Sequence, residues 1–102
     1  GKLSEYGGAS VILDPGIGFN KSIKDNFKLL KNIEEYRING LPVLIGISRK
    51  SMIYKTLKTT PQESLNGTTV LNTVAILSGA DILRVHDVKQ AMETIKLLKE
   101  LD

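Results

Sequence analysis

Apolar and polar positions along this chain follow two periods, and the switches between them mark out strands and helices. Val11-Ile12-Leu13 is a short apolar run stopped by Asp14-Pro15-Gly16, the pattern of a buried strand ending in a turn. From Ser22 the period lengthens. Ile23, Phe27, Leu30 and Ile33 share one helical face, with Lys24, Lys28, Lys31 and Glu35 off it. Ser22 and Asp25 make a partial capping box, and Asn39-Gly40 followed by Pro42 predicts where the helix stops. Val43 to Ile47 is again nearly continuous apolar sequence, as in a strand buried on both faces of a parallel sheet.

A short helix is predicted after Ser48, with Met52, Ile53 and Leu57 apolar. Thr60-Pro61-Gln62-Glu63 is the clearest helix start: Thr60 caps, Pro61 takes the first helical position and Glu63 reaches back. That helix is predicted to reach Ser78, with Gly79 as its stop. Gly67 inside it costs about 1 kcal/mol relative to Ala and so marks close packing. Ile82 to Val85 predicts a third strand. Asp87, with Gln90 completing the box, caps a last helix whose buried stripe is Val88, Ala91, Met92, Ile95 and Leu98.

The order β-α-β-α(α)-β-α implies an α/β fold with right-handed crossovers and parallel strands. Three strands cannot close a barrel, so the chain reads as a piece of a larger α/β domain. Residues 1–9 are polar and Gly-rich and read as a connector from an upstream part.

Composition narrows the function classes. A net charge of +3, spread along 102 residues, gives little support to a nucleic-acid surface. There is no cysteine, so disulfides and thiolate metal sites are excluded, which fits a cytoplasmic setting. A single His with scattered carboxylates gives metal binding little support. No stretch reaches the length of a membrane span, and the first residues lack the order of a signal peptide.

The polar oddities fall at the carboxyl ends of the predicted strands, where parallel α/β folds bind ligands. Asp14 reads either as a turn former before Pro-Gly or as a carboxylate for the guanidine-like edge of a heterocycle. Gly46-Ile47-Ser48-Arg49-Lys50 joins a hydroxyl, the amides of a helix start, a guanidinium and an ammonium. Cations at a helix N-terminus oppose the macrodipole by roughly 0.3–1 kcal/mol each, so an anionic ligand explains the pair best. Arg84 and His86 share one strand face and suit a phosphate. His86-Asp87 makes no triad with Ser48, because Asp87 serves better as a helix cap. Phe19 reads equally as loop packing or as a wall for a flat ligand.

Ile12-Leu13-Asp14-Pro15-Gly16-Ile17-Gly18-Phe19, then Gly46-Ile47-Ser48-Arg49-Lys50-Ser51, then Arg84-Val85-His86-Asp87 closely resemble three successive motifs of the dihydropteroate synthase family. This is the folate-pathway enzyme family inhibited by sulfonamides. The resemblance runs from Val11 onward and implies a TIM (β/α)8 barrel, of which this chain is the last three β/α units. It implies condensation of 6-hydroxymethyl-7,8-dihydropterin diphosphate with p-aminobenzoate, giving dihydropteroate and pyrophosphate. Asp14 is then expected on the pterin's amino edge, Lys50 on its carbonyl and ring nitrogen, and Arg84 stacked on it. Arg84 and His86 are expected to bind the departing diphosphate. Phe19 walls the aminobenzoate ring, while Ser48, with the helix start at Arg49 and Lys50, takes its carboxylate, and Gly46 is counted with the same substrate-binding residues. Mg²⁺ is implied for the full-length enzyme, held by the missing part and the substrate diphosphate rather than by this chain, and a homodimer is expected. The alternatives are a pterin-binding methyltransferase domain, a non-catalytic pterin-binding module and an isolated fragment associating through its sheet edges. The fragment alone is expected to be inactive.

Overall fold

Three parallel segments set the frame. The computed structural model describes residues 12–18, 21–38 and 40–102. The 1–9 connector, Val11, Phe19 and Asn39 lie outside them. β1 (Leu44–Ile45) pairs in parallel with β2 (Ile82–Leu83), Leu44 beside Ile82 and Ile45 beside Leu83. On the other flank Leu13 bridges Val43, also in parallel. The Leu13 amide donates to the Pro42 carbonyl at 2.9 Å, and the Leu44 amide to the Leu13 carbonyl at 2.8 Å. The middle apolar run is therefore the middle strand. Its regular ladder ends early, because the chain turns at Ser48 and Arg49, where Arg49 takes a left-handed φ of 56°.

Alternation puts Val43, Ile45 and Ile47 on one face, all buried. Three helices cover that face: α1 (Ile23–Lys31), α2 (Ser51–Leu57) and α3 (Leu65–Leu77). They complete a core with Ile17, Leu29, Leu30, Ile33, Met52, Ile53 and Ala75. The other face carries half-buried Leu44, then Gly46 and Ser48. α4 (Val88–Lys99) packs on α3.

Four local expectations need correction. α1 starts as predicted, the Ser22 hydroxyl accepting the Asp25 amide, but it stops at Lys31 rather than at Asn39-Gly40. Asn32 breaks it: its side-chain amide bonds the Lys28 carbonyl, and a single 3-10 turn (Ile33–Tyr36) follows. Thr60 caps only another 3-10 turn, Pro61–Glu63, before Ser64 leads into α3. Ser64 Oγ bonds the Pro61 carbonyl at 2.6 Å, which favours the turn over a continuous helix. The buried stripe of α4 is rotated from the predicted one. Ala91 and Thr94 are buried, Ile95 and Leu98 half-buried, while Val88 and Met92 are exposed. Asp87 precedes α4 without capping it through its side chain, because that carboxylate is engaged elsewhere.

Gly67 behaves as its position suggests. A Cβ there would meet Ile53 Cγ2 at 2.5 Å and Leu57 Cδ1 at 3.0 Å, so its bareness lets α2 and α3 close together.

At the opposite end of the strands, Asp81 Oδ2 accepts the Val43 amide and an Arg37 N–H, each at 2.8 Å. Arg37 also pairs with Glu34 and with the Leu41 carbonyl. This end is a structural clamp.

Candidate functional site

At the carboxyl ends of the strands, Asp14, Lys50 and Arg84 come together. Asp14 follows Leu13 and takes the turn role open to it from sequence, with its second oxygen turned to Arg84. Its Oδ1 accepts the Gly16 amide at 2.9 Å, an Asx turn, while Oδ2 faces Arg84 Nη1 at 3.5 Å. Both side chains are well exposed, so this pair contributes only about 0–1 kcal/mol and leaves both groups available to a ligand.

Arg84 lies across Gly46. A Cβ at position 46 would stand 2.6 Å from Nη2 and 3.0 Å from Cζ and Nε. The glycine is thus the bed on which the guanidinium rests. It gives Gly46 a physical role at the site that the apolar pattern alone did not show.

Lys50 reaches back over the first loop. Its Nζ donates to the Ile17 carbonyl at 2.6 Å, and its stem passes Gly18, whose φ is 91°. Burial pushes the ammonium below the ordinary lysine value, and the charge of Arg84 adds to this while Asp14 opposes it. A lysine held beside an arginine in this way is a strong donor for an electron-rich ligand edge.

Ser48 is buried, and its Oγ accepts the His86 amide at 3.3 Å, joining the ends of β1 and β2. A hydroxyl that accepts one bond still has a proton to donate. The His86 residue itself is exposed beside it.

The amides expected at the helix start are placed differently. The Arg49 amide donates to Thr68 Oγ1 at 3.0 Å, and the Lys50 amide to the Ile47 carbonyl at 2.9 Å. α2 begins only at Ser51, so the amides that a helix leaves without internal acceptors are at Ser51 and Met52. The Arg49 guanidinium forks onto Asp87, Nε to Oδ2 at 3.0 Å and Nη2 to Oδ1 at 2.9 Å. Those bonds raise the Arg49 value and hold the Asp87 carboxyl below its usual range.

Two supporting residues escaped the sequence reading. Asn26 is buried in α1, and its Oδ1 accepts the Gly18 amide at 2.8 Å, anchoring the loop that carries Ile17. Thr68, buried in α3, receives the Arg49 amide. Asn26 had a usable signal: a polar residue on the stripe shared with Leu29, Leu30 and Ile33. An open cleft of about 370 Å³ lies beside Lys50, lined by Ile17, Gly18, Arg49, Ser51, Tyr54 and Pro61. A separate groove among Phe27, Met52, Ile53, Leu57 and Val70 is almost wholly apolar and offers nothing to an anion.

Among the described residues, no three His, Cys, Asp or Glu side chains converge as metal ligands. Among the same residues, no helix is long and apolar enough to cross a membrane.

A guanidinium over a bare glycine, an ammonium and a carboxylate near it and a buried hydroxyl at parallel strand ends suit a flat, polar, partly anionic ligand. The profile of the pterin binding enzyme family matches residues 2–86, and the chain belongs to that family. Its relatives there are dihydropteroate synthases. Those of Escherichia coli and Bacillus subtilis are each 42% identical over 89 residues, or 87% of this chain. The one from Synechocystis is 45% identical over 92 residues, or 89% of it. The chain spans about a third of these proteins' length, 31–32%.

Among solved structures, the 7,8-dihydropteroate synthase of Vibrio fischeri superposes with a TM-score of 0.86 at 42% identity, covering 90% of this chain and 34% of that one. The Coxiella burnetii enzyme in complex with pteroic acid gives 0.85 at 41%, covering 90% and 35%. These likenesses agree with the α/β architecture and parallel strands read from the sequence.

Proposed function

We propose that this chain supplies the last three β/α units, residues 1–102, of a dihydropteroate synthase built as a TIM (β/α)8 barrel. The observation that carries the reading is the meeting of Asp14, Lys50 and Arg84, with Arg84 lying over Gly46, within a chain of this family. In the proposed reaction the amine nitrogen of p-aminobenzoate attacks the methylene carbon of the dihydropterin diphosphate. A C–N bond forms, the C–O bond to the diphosphate breaks, and pyrophosphate leaves with the electron pair. The amine's proton passes to solvent.

The residue roles are those the family resemblance implies. Asp14 accepts from the guanidine-like edge of the pterin. Lys50, held at the Ile17 carbonyl, donates to the pterin's carbonyl and ring nitrogen. Arg84 stacks on the ring and, with His86, stabilises negative charge as pyrophosphate departs. Ser48 and the start of α2 receive the aminobenzoate carboxylate, and Phe19 walls its ring. Catalysis rests on orientation and charge stabilisation, and no protein nucleophile is required.

Among the described residues, no cluster of three His, Cys, Asp or Glu side chains offers Mg²⁺ a site of its own. In this reading Mg²⁺ is held by the substrate diphosphate and by residues outside this chain. The enzyme of this reading is cytoplasmic and homodimeric. The isolated stretch is inactive.

Grafting tests the reading. This chain is exchanged for the matching third of the Escherichia coli synthase and expressed in cells lacking their own enzyme. Growth without supplied folate products is expected. A chimera that folds and accumulates but does not support growth contradicts the reading. Pterin binding without turnover in that chimera points to a non-catalytic module instead.

A further inference from the structure

The Arg49 side chain has more protein acceptors than a substrate ligand needs. Besides the two bonds to Asp87, Nη1 donates to the carbonyls of Pro61 at 2.8 Å and Gln62 at 3.0 Å. Four of the five guanidinium N–H donors are thus used inside the molecule. The backbone is committed as well. Arg49 has φ 56°, a region that disfavours any residue with a side chain, and its amide is held by Thr68 Oγ1. Neither feature is needed for a solvated cation. Both are expected where surrounding contacts fix a backbone that would otherwise relax.

These bonds join three places: the end of β1, the turn before α3 and the start of α4. On one side of Arg49 stand Ser48 and Lys50. On the other, Asp87 follows His86, whose amide bonds Ser48 Oγ. The fork therefore spans the two strand ends that carry the cationic groups of the site. A substrate carboxylate could take both arms of Arg49 only by displacing Asp87, which would release the segment after β2.

We infer that Arg49 is a positioning residue. Through Asp87 it fixes the spacing between the Ser48–Lys50 and Arg84–His86 segments, and it does not hold the carboxylate of the second substrate. The inference rests on the synthase reading for the chemistry it affects, though not for the latch itself.

The test uses the whole protein containing this chain. Steady-state kinetics are measured for both substrates, with amide hydrogen exchange at positions 49 and 86. Arg49→Ala and Asp87→Ala are each expected to lower kcat/KM for both substrates by about 10- to 100-fold, the scale of ångström misplacement. The double variant should be no worse than either single one. Arg49→Gly relieves the left-handed backbone but has no fork, so it should match Arg49→Ala. Asp87→Asn keeps one acceptor and should lose less than Asp87→Ala. Exchange at positions 49 and 86 should accelerate about tenfold in both alanine variants, as a local opening stabilised by the fork requires.

A rise confined to the KM for p-aminobenzoate in Arg49→Ala, with Asp87→Ala at wild-type values, overturns the inference. So does recovery of activity in Arg49→Gly. If the wild-type protein turns over neither substrate, the synthase reading fails and exchange alone decides the latch. Equal acceleration in both alanine variants then supports it, and unchanged exchange refutes it.

Discussion

Replacing Gly46 by Ala separates the site from the fold. The added Cβ would stand 2.6 Å from Arg84 Nη2, closer than real contacts allow, and 3.0 Å from Cζ and Nε. Something must move, and it is the tip of a flexible side chain that is 55% exposed. Swinging outward, Arg84 forfeits its 3.5 Å contact with Asp14, an exposed pair worth about 0–1 kcal/mol. Gly46 is not among the positive-φ glycines, so alanine fits its backbone and recovers about 0.4–1 kcal/mol through the unfolded state. Net stability should therefore change by less than about 1 kcal/mol.

Function should not survive as well. Losing the charge-assisted bonds of a displaced guanidinium costs about 1.5–3 kcal/mol. That is roughly a 10- to 150-fold fall in kcat/KM. Urea denaturation and pyrophosphate release by the whole protein read the two quantities separately. On an Arg84→Ala background, Gly46→Ala should add almost nothing. Activity within about twofold of wild type, or destabilisation of the size of a core cavity, would show that Arg84 does not depend on a bare Gly46.

Three further predictions address the support of the site. Asp81→Ala removes the acceptor of the Val43 amide in a fully buried residue, so urea denaturation should show a loss of about 1–3 kcal/mol. Turnover should hold, since Asp81 sits at the opposite end of the strands. Asn26→Leu leaves the Gly18 amide without its acceptor and should raise the KM for the pterin diphosphate, whereas Asn26→Asp, which keeps the oxygen, should restore much of it. Lys50 has a folded-state value depressed below 10.5, so the folded state releases this proton earlier than the unfolded one. Stability should rise with pH between the depressed value and 10.5, and that increment should vanish in Lys50→Met. Activity should fall across the same window as the ammonium is lost.

The layout was largely legible because burial imposes period. Val43, Ile45 and Ile47 could sit only in a covered strand, and Ser22 with Asp25 announced the start of α1 through a local bond. Gly67 was readable for the same reason: a helix tolerates glycine at a cost, so its presence implied close packing. Helix ends were less legible. Asn32 and Ser64 end or delay helices through bonds to carbonyls three or four residues back, which compete narrowly with continuation.

The site divides in the same way. Asp14, Lys50 and Arg84 stood out as charges at strand ends, and the fold brings them together. The destination of Asp87 was not legible. As a helix-preceding Asp it matched the capping pattern, yet Arg49, 38 positions earlier, offers two bonds where the cap offers one. Thr68 was hidden because it acts on a backbone amide brought close only by folding, and Asn26, though a polar residue on a buried stripe, gave no sign that its partner is the Gly18 amide.

One measurement shows directly whether the cations of these strand ends carry pterin chemistry. Pyrophosphate release is followed for the purified whole protein with dihydropterin diphosphate and p-aminobenzoate, beside Lys50→Ala and Arg84→Ala. Pyrophosphate and dihydropteroate are expected in equal amounts from the wild type, with a strong loss in both variants and melting behaviour preserved. Folded variants that turn over at the wild-type rate would contradict it.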